Sequence, residues 1–197
     1  MKKIIAMLLV LVMSVTGLVG CGSSKGNEAG STSAGSDSDW AYIQDKGKLT
    51  VGITLFAPMN YYNEKNKLVG FDTEMAEAVT KKLGIDVEFT EINWDSKEVE
   101  LSSKNIDCIW NGFTINGRED DYTWTTPYMA NKQVFVVAND SDIKSQADLA
   151  GKVVEVQADS SAEAALKENQ DLANTFGQLL TTPDYNTAFM DLEQGAV

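Results

Sequence analysis

Residues 107–128, DCIWNGFTINGREDDYTWTTPY, set an arginine, a threonine and a glycine backbone just after a short apolar run. Arg118 offers a planar fork of N–H donors that meets a carboxylate through two parallel bonds. Thr114 brings a hydroxyl that serves as donor or acceptor, and the carbonyl of Gly112 can accept from an ammonium. A zwitterion leaves water only when donors meet its carboxylate and acceptors meet its ammonium. The three groups together suit the head of a free amino acid.

Other chemistries are narrowed by what the chain lacks. It contains no histidine, which removes the commonest general base and the commonest metal ligand, and with them Ser-His-Asp, Cys-His and zinc-histidine sites. No cofactor or metal is expected. Glu119, Asp120 and Asp159 could act as general acid or base, but nothing marks any of them as perturbed. With 16 basic and 29 acidic residues the formal net charge is −13. A field of that sign repels phosphate backbones and anionic headgroups, so no nucleic-acid partner is expected. Of the two cysteines, Cys108 stands beside Ile109 and Trp110 and reads as a buried, inert thiol.

The first twenty residues read as an address. Lys2 and Lys3 precede an apolar run over 4–15, too short to span a bilayer comfortably, and small residues follow before Cys21. The tetrad LVGC at 18–21 resembles a bacterial lipobox. That resemblance implies cleavage before Cys21, a lipid on its sulfur, and tethering at the outer face of the cytoplasmic membrane. The plain alternative is an ordinary signal peptide with an incidental cysteine. Residues 21–39, dominated by Ser and Gly, lack the apolar content to bury anything and read as a flexible leash. Folding is expected to begin near Trp40.

Strand-like and helix-like patterns then alternate. Residues 49–53 read as a strand, and Ile85, Val87 and Phe89 alternate with polar neighbours as in a half-buried strand. Between them a helix is predicted with Asp72 as cap, Met75, Ala78, Val79 and Leu83 on one face, and Gly84 as stop. Asp95 and Glu98 suggest a capping box opening a weaker helix to Lys104, ahead of a strand at 107–110. A second block follows, with an apolar strand at 133–138, a helical turn at 147–149 and a strand at 153–156. A helix capped by Ser160 or Ser161, a strand at 175–180 and a helix from Pro183 to 193 complete it. A βαβαβ series calls for a parallel sheet with right-handed crossovers. Ala196 and Val197 look like an unfinished strand, so the chain is expected to be incomplete at its C-terminus.

From 49 onward the ordered segments LTVGI, LVGFDTEMAEAVTKKLGIDVEF, SKNIDCIWNGFTINGRED, TTPYMANKQVFVV, DIKSQADLAGKVVEVQADSSAEAAL and FMDLEQGAV resemble the polar amino-acid-binding proteins of ABC importers. The resemblance implies an α/β, bilobed periplasmic-binding-protein-like (type II) fold with two parallel-rich sheets flanked by helices. Lobe one would cover 40–131 without its C-terminal return, and lobe two 132–197, incomplete. It implies a free amino acid as ligand, a permease and ATPase complex as partner, a monomer, and hinge closure with a first crossing near 132–136.

Carried over residue by residue, Phe56 and Trp94 match aromatics that pack on the ligand, their plain alternative being the core. Gly112 and Thr114 match residues that take its ammonium and carboxylate, and Arg118 matches the carboxylate clamp. The family usually has one more residue between that threonine and that arginine. Ser160 and Ser161 match a helix start whose N–H groups receive a carboxylate, and plain capping is compatible with that. Gln157 matches a position that can face the ligand side chain, or is a surface glutamine. The family's acidic partner for the ammonium falls just beyond Val197. The same fold also hosts enzymes, such as dehydratases, and sensory receptor modules. Two aromatics with neutral Gln157 and Asn111 fit a polar, uncharged or sulfur-containing ligand side chain without choosing one.

Overall fold

The computed structural model describes residues 38–197; the signal, the lipobox with Cys21 and nearly all of the leash lie outside the described residues. Helix α1 (Asp39–Lys46) starts on Ser38, whose side chain accepts from the Ala41 amide, and stops at Gly47 in the left-handed region, φ 71°. Strand β1 (Lys48–Ile53) is the centre of the first sheet. It pairs in parallel with β4 (Asp86–Glu91) on one side and β5 (Cys108–Ile109) on the other, giving the order β4-β1-β5. A central parallel strand is covered on both faces, and β1 is accordingly buried from Thr50 to its end. Asp107 anchors its start, accepting from the Thr50 amide at 2.7 Å and from Lys46 Nζ at 2.8 Å.

Between β1 and β4 the chain forms a short hairpin, β2 (Tyr61–Tyr62) with β3 (Leu68–Val69), and then helix α2 (Phe71–Leu83). Here the expected cap is corrected. The residue before α2 is Gly70, at φ 126°, where a Cβ would lie 2.2 Å from the Met59 carbonyl oxygen. Only glycine fits so close an approach in that conformation. Asp72 is instead buried one turn position inside the helix, accepting from the Tyr128 hydroxyl at 2.8 Å, and burial pushes its carboxyl above the ordinary carboxylate range. The buried stripe of α2 runs through Thr73, Ala76 and Thr80, while Leu83, expected inside, is 48% exposed.

After β4, a 3₁₀ turn (Trp94–Ser96) leads into α3 (Lys97–Ser102). The Asp95–Glu98 capping box does not form: no side chain caps either element, and Glu98 accepts from the Tyr122 hydroxyl at 3.0 Å. Residues 129–138 carry no helix or strand, and Val134 and Val136 are exposed. The expected strand at 133–138 is thus absent, because an apolar run becomes a strand only where a neighbour takes its N–H and C=O groups.

The second sheet pairs β6 (Val153–Gln157) with β7 (Gln178–Thr182) in parallel. Helices α4 (Ser161–Glu168) and α5 (Gln170–Ala173) cross between them, and α6 (Tyr185–Glu193) follows, capped by Asp184. Strand β7 begins three residues later than expected. Residues 175–177 are taken up in a close approach to 151–152, with the Gly151 amide donating to the Thr175 carbonyl at 2.7 Å and the Gly177 amide to the Lys152 carbonyl at 2.8 Å. A Cβ on Gly177 would lie 2.5 Å from the Gly151 carbonyl oxygen. Both sheets lie within one compact unit. No helix among the described residues is long and apolar enough to cross a membrane.

A chain of buried polar side chains ties the first sheet to its loops. Asn60 is fully buried; its amide donates to Asn111 Oδ1 at 2.7 Å and accepts from the Thr73 hydroxyl at 2.9 Å, and Asn111 donates on to Thr54 Oγ1 at 2.6 Å. Replacing Asn60 with alanine would strand two buried partners. Urea unfolding of the Asn60→Ala protein should show a loss of about 2 kcal/mol with an unchanged slope.

Candidate functional site

The parallel strands β1, β4 and β5 all end at the same edge of the first sheet, so the segments leaving them meet there. From β1 comes Phe56, half-buried, with its amide donating to the Asn60 carbonyl at 2.7 Å and its ring 5.6 Å from the ring of Tyr185 in α6. From β4 comes Trp94, which is buried. From β5 come Asn111, Gly112, Thr114 and Arg118. Gly112 faces open space, with nothing within 4 Å of a Cβ placed there. Thr114 Oγ1 accepts from Asn131 Nδ2 at 2.8 Å.

Arg118 is held from several sides. A turn bonds its amide to the Ile115 carbonyl at 2.8 Å, and its own carbonyl accepts from the Trp124 indole at 3.0 Å. Its guanidinium lies 5.4 Å from the centre of the Phe113 ring, a cation–π distance. Phe113 is in turn set edge-on against Trp94, Tyr122 and Trp124, with centroids 4.8–5.0 Å away. Burial and the Glu98 carboxylate raise the Tyr122 hydroxyl well above its ordinary value, so this aromatic wall stays uncharged.

Opposite stands the loop between β6 and α4. Ser160 caps α4, its Oγ accepting from the Glu163 amide at 3.2 Å, while Glu163 Oε2 accepts from the Asp159 amide at 2.7 Å. Among the described residues no acceptor meets the amides of Ser161 and Ala162 at the start of the helix. Gln157 is no surface residue: it is buried, and its amide donates to the Pro183 carbonyl at 3.0 Å.

The two sides meet on Asp159. Its carbonyl accepts from the Trp94 indole at 3.1 Å and from Arg118 Nη2 at 3.0 Å, and its carboxylate pairs with Lys97. The structure therefore brings Trp94, Arg118 and the Ser160–Ser161 helix start together, with the Thr114 carbonyl accepting from Arg118 Nη1 at 3.5 Å. Phe56 stands against α6 instead. Sequence reasoning missed Lys97 altogether, and named Asp159 only as one carboxylate among several. A lysine one helical turn beyond a tryptophan carries no signal of burial, whereas a non-glycine residue directly before a capping serine is at least a place to look.

A cleft of about 370 Å³ is lined by Leu55, Glu91 and Asn93 on one side and Pro183, Asp184 and Asn186 on the other. That volume is in the range of small-molecule sites. None of the eight sequence-derived residues lines it, although Leu55 and Asn93 immediately precede Phe56 and Trp94. Asn186 bridges the cleft, donating to the Leu55 carbonyl at 3.3 Å. Among the described residues no group of three His, Cys, Asp or Glu could hold a metal ion.

The family profile of bacterial extracellular solute-binding proteins, family 3, matches residues 49–189. The chain belongs to that family. It is similar to the L-cystine-binding protein TcyA of Bacillus subtilis (strain 168), 39% identical over 156 residues, covering 77% of this chain and 57% of that protein. The chain thus spans less than two thirds of that relative's length. Its fold is similar to that of a substrate-binding protein of an ABC uptake transporter from Streptococcus pneumoniae with bound histidine, at TM-score 0.76 and 32% identity, over 82% of this chain and 68% of the other. It is also similar to the ancestral amino acid-binding protein AncCDT-1, a precursor of cyclohexadienyl dehydratase, at TM-score 0.74 and 28% identity, over 81% and 71% of the two chains. The architecture is the α/β, parallel-sheet type II fold of amino-acid-binding proteins.

Beside the site, burial pushes the Cys108 thiol up to about 12. At pH 8 roughly one molecule in ten thousand would then carry the thiolate. In a Cys21→Ala background, alkylation of Cys108 by iodoacetamide should run at least ~100-fold slower than for a free cysteine peptide, and match the peptide in denaturant.

Proposed function

We propose that this protein is the extracytoplasmic substrate-binding component of an ABC importer. It captures a free amino acid between lobes 40–131 and 132–197 and delivers it to a permease and ATPase complex. The observation that carries this reading is the convergence of Arg118 and Trp94 from one sheet on the start of α4 from the other. Support also comes from the relatives, whose stated ligands include L-cystine and histidine. An aromatic wall without ionised groups lowers the local dielectric, which strengthens a guanidinium–carboxylate bond.

In the bound state Arg118 donates to the ligand carboxylate, and Thr114 and the Gly112 carbonyl serve its two charged ends. Ser160 and Ser161 present the first N–H groups of α4 from the second lobe. Trp94 flanks the ligand, Phe56 would join it only by leaving the ring of Tyr185, and Gln157 steadies the second lobe behind it. Because donors come from both lobes, the full set of contacts exists only when the lobes close, so the ligand selects the closed form by differential affinity. The segment 132–136 is the first hinge crossing. The protein acts as a monomer, tethered through a lipid on Cys21 to the outer face of the cytoplasmic membrane.

A thermal-shift screen of the protein against the twenty amino acids and cystine should reveal at least one that raises the melting temperature, since a ligand that binds only the folded state stabilises it. The Arg118→Ala protein should bind that ligand about 100-fold more weakly by calorimetry. Unchanged affinity would remove the clamp. The resemblance to AncCDT-1 keeps a dehydratase reading in view; product formation from a cyclohexadienyl acid would favour it over transport. The Cys21→Ala protein should leave the membrane fraction for the soluble one, and its retention would overturn the tether.

A further inference from the structure

Lys97 is fully buried, its side chain 1% exposed, whereas the carboxylate it pairs with, on Asp159, is 54% exposed. The ammonium also lies 5.1 Å from the centre of the Trp94 ring. Asp159 holds φ 53°, a left-handed conformation unusual for a residue with a Cβ. It is kept there by contacts at every polar group. The amide goes to Glu163 within the second block, while the carbonyl and the carboxylate take Trp94, Arg118 and Lys97 from the first. Among the described residues Lys97 meets no other carboxylate.

We propose that Lys97 and Asp159 form a latch that sets how far the two lobes close before any ligand arrives. Lys97 is a positioning residue, acting through Asp159 on the spacing between Arg118 and the start of α4. The latch deepens the transport reading, because that spacing is the ligand site, yet its closure can be judged without a ligand. Its two ends are unequal. Removing the lysine leaves a half-exposed aspartate that water can solvate, at small cost. Removing the aspartate leaves a buried ammonium with no counter-charge whenever the lobes are shut, at larger cost. The variants should therefore rank in a definite order, which a contact of no consequence would not produce.

The test places fluorophores on Lys82→Cys and Lys152→Cys, both exposed positions in opposite blocks, in the Cys21→Ala protein, and follows the inter-lobe distance without ligand. The parent should be the most closed, Lys97→Met and the Lys97→Met/Asp159→Asn pair intermediate and alike, and Asp159→Asn the most open. Raising salt from about 0.05 to 0.5 M should shift the parent toward the open form relative to the paired variant, by an amount that the burial of Lys97 keeps small. For any amino acid bound by the parent, affinity should fall about 3-fold in Lys97→Met and about 10-fold in Asp159→Asn, with partial rescue in the paired variant. Equal distances and equal salt response in all four proteins would overturn the latch, even with ligand binding intact. A parent that binds no amino acid would instead overturn the transport reading and leave the distances to judge the latch. Should Asp159→Asn fail to fold, the match between Lys97→Met and the paired variant, and their lost salt response, still decide.

Discussion

The buried amide of Asn60 is the contact on which the site's geometry depends. Parallel strands deliver their following loops to one edge, but loops alone do not stay in register. Asn60 joins the loop after β1 to the segment after β5 through Asn111, and to α2 through Thr73. Each amide in that chain serves as donor at one end and acceptor at the other, so no member can rotate without leaving a buried group unpaired. Thr54 closes the chain through Asn111, on the stretch that leads to Phe56. The positions of Phe56 and Gly112 relative to β1 and β5 are thereby set by four uncharged side chains.

The charged part of the site is built on a different rule. The chain as a whole is strongly acidic, at −13, yet two cations, the buried Lys97 and the half-buried Arg118, meet one residue of the second block, Asp159. Lys97, beside the Trp94 ring and the Asp159 carboxylate, and Arg118, over the Phe113 ring and bonded to the carbonyls of Thr114 and Asp159, feel these local partners more than the distant field. Long-range charge governs what approaches the protein. On the proposed reading, the short-range donor set would govern what stays.

Much of the fold was legible in the sequence, and the parts that were not share a cause. Strands β1, β4 and β6 and helix α4 follow from alternation, apolar runs and the serine cap, because each signal is local. Helix α2 follows from its own pattern but its cap does not: Asp72 is a good capping residue by type, whereas Gly70 is demanded by a carbonyl from residue 59 that no local pattern reveals. The 133–138 run has a strand's composition without a strand's partner. Strand β7 starts late because two glycine-bearing turns, 26 residues apart, press together. The site divides the same way. Arg118, Thr114 and Ser160 belong to recognisable local motifs, whereas the burial of Gln157 against Pro183 and of Lys97 against Asp159 is decided by residues 26 and 62 positions away.

One arrangement has an optical consequence. Trp94 is the indole that spans the two blocks, and it stands edge-on to Phe113, which also touches Trp124. If the lobes part as proposed, that indole exchanges a carbonyl acceptor for solvent water while Trp124 keeps its bond to Arg118. On that reading the colour of Trp94 emission would follow the gap between the lobes, seen against the three other tryptophans of the chain, like one moving lamp among steadier ones.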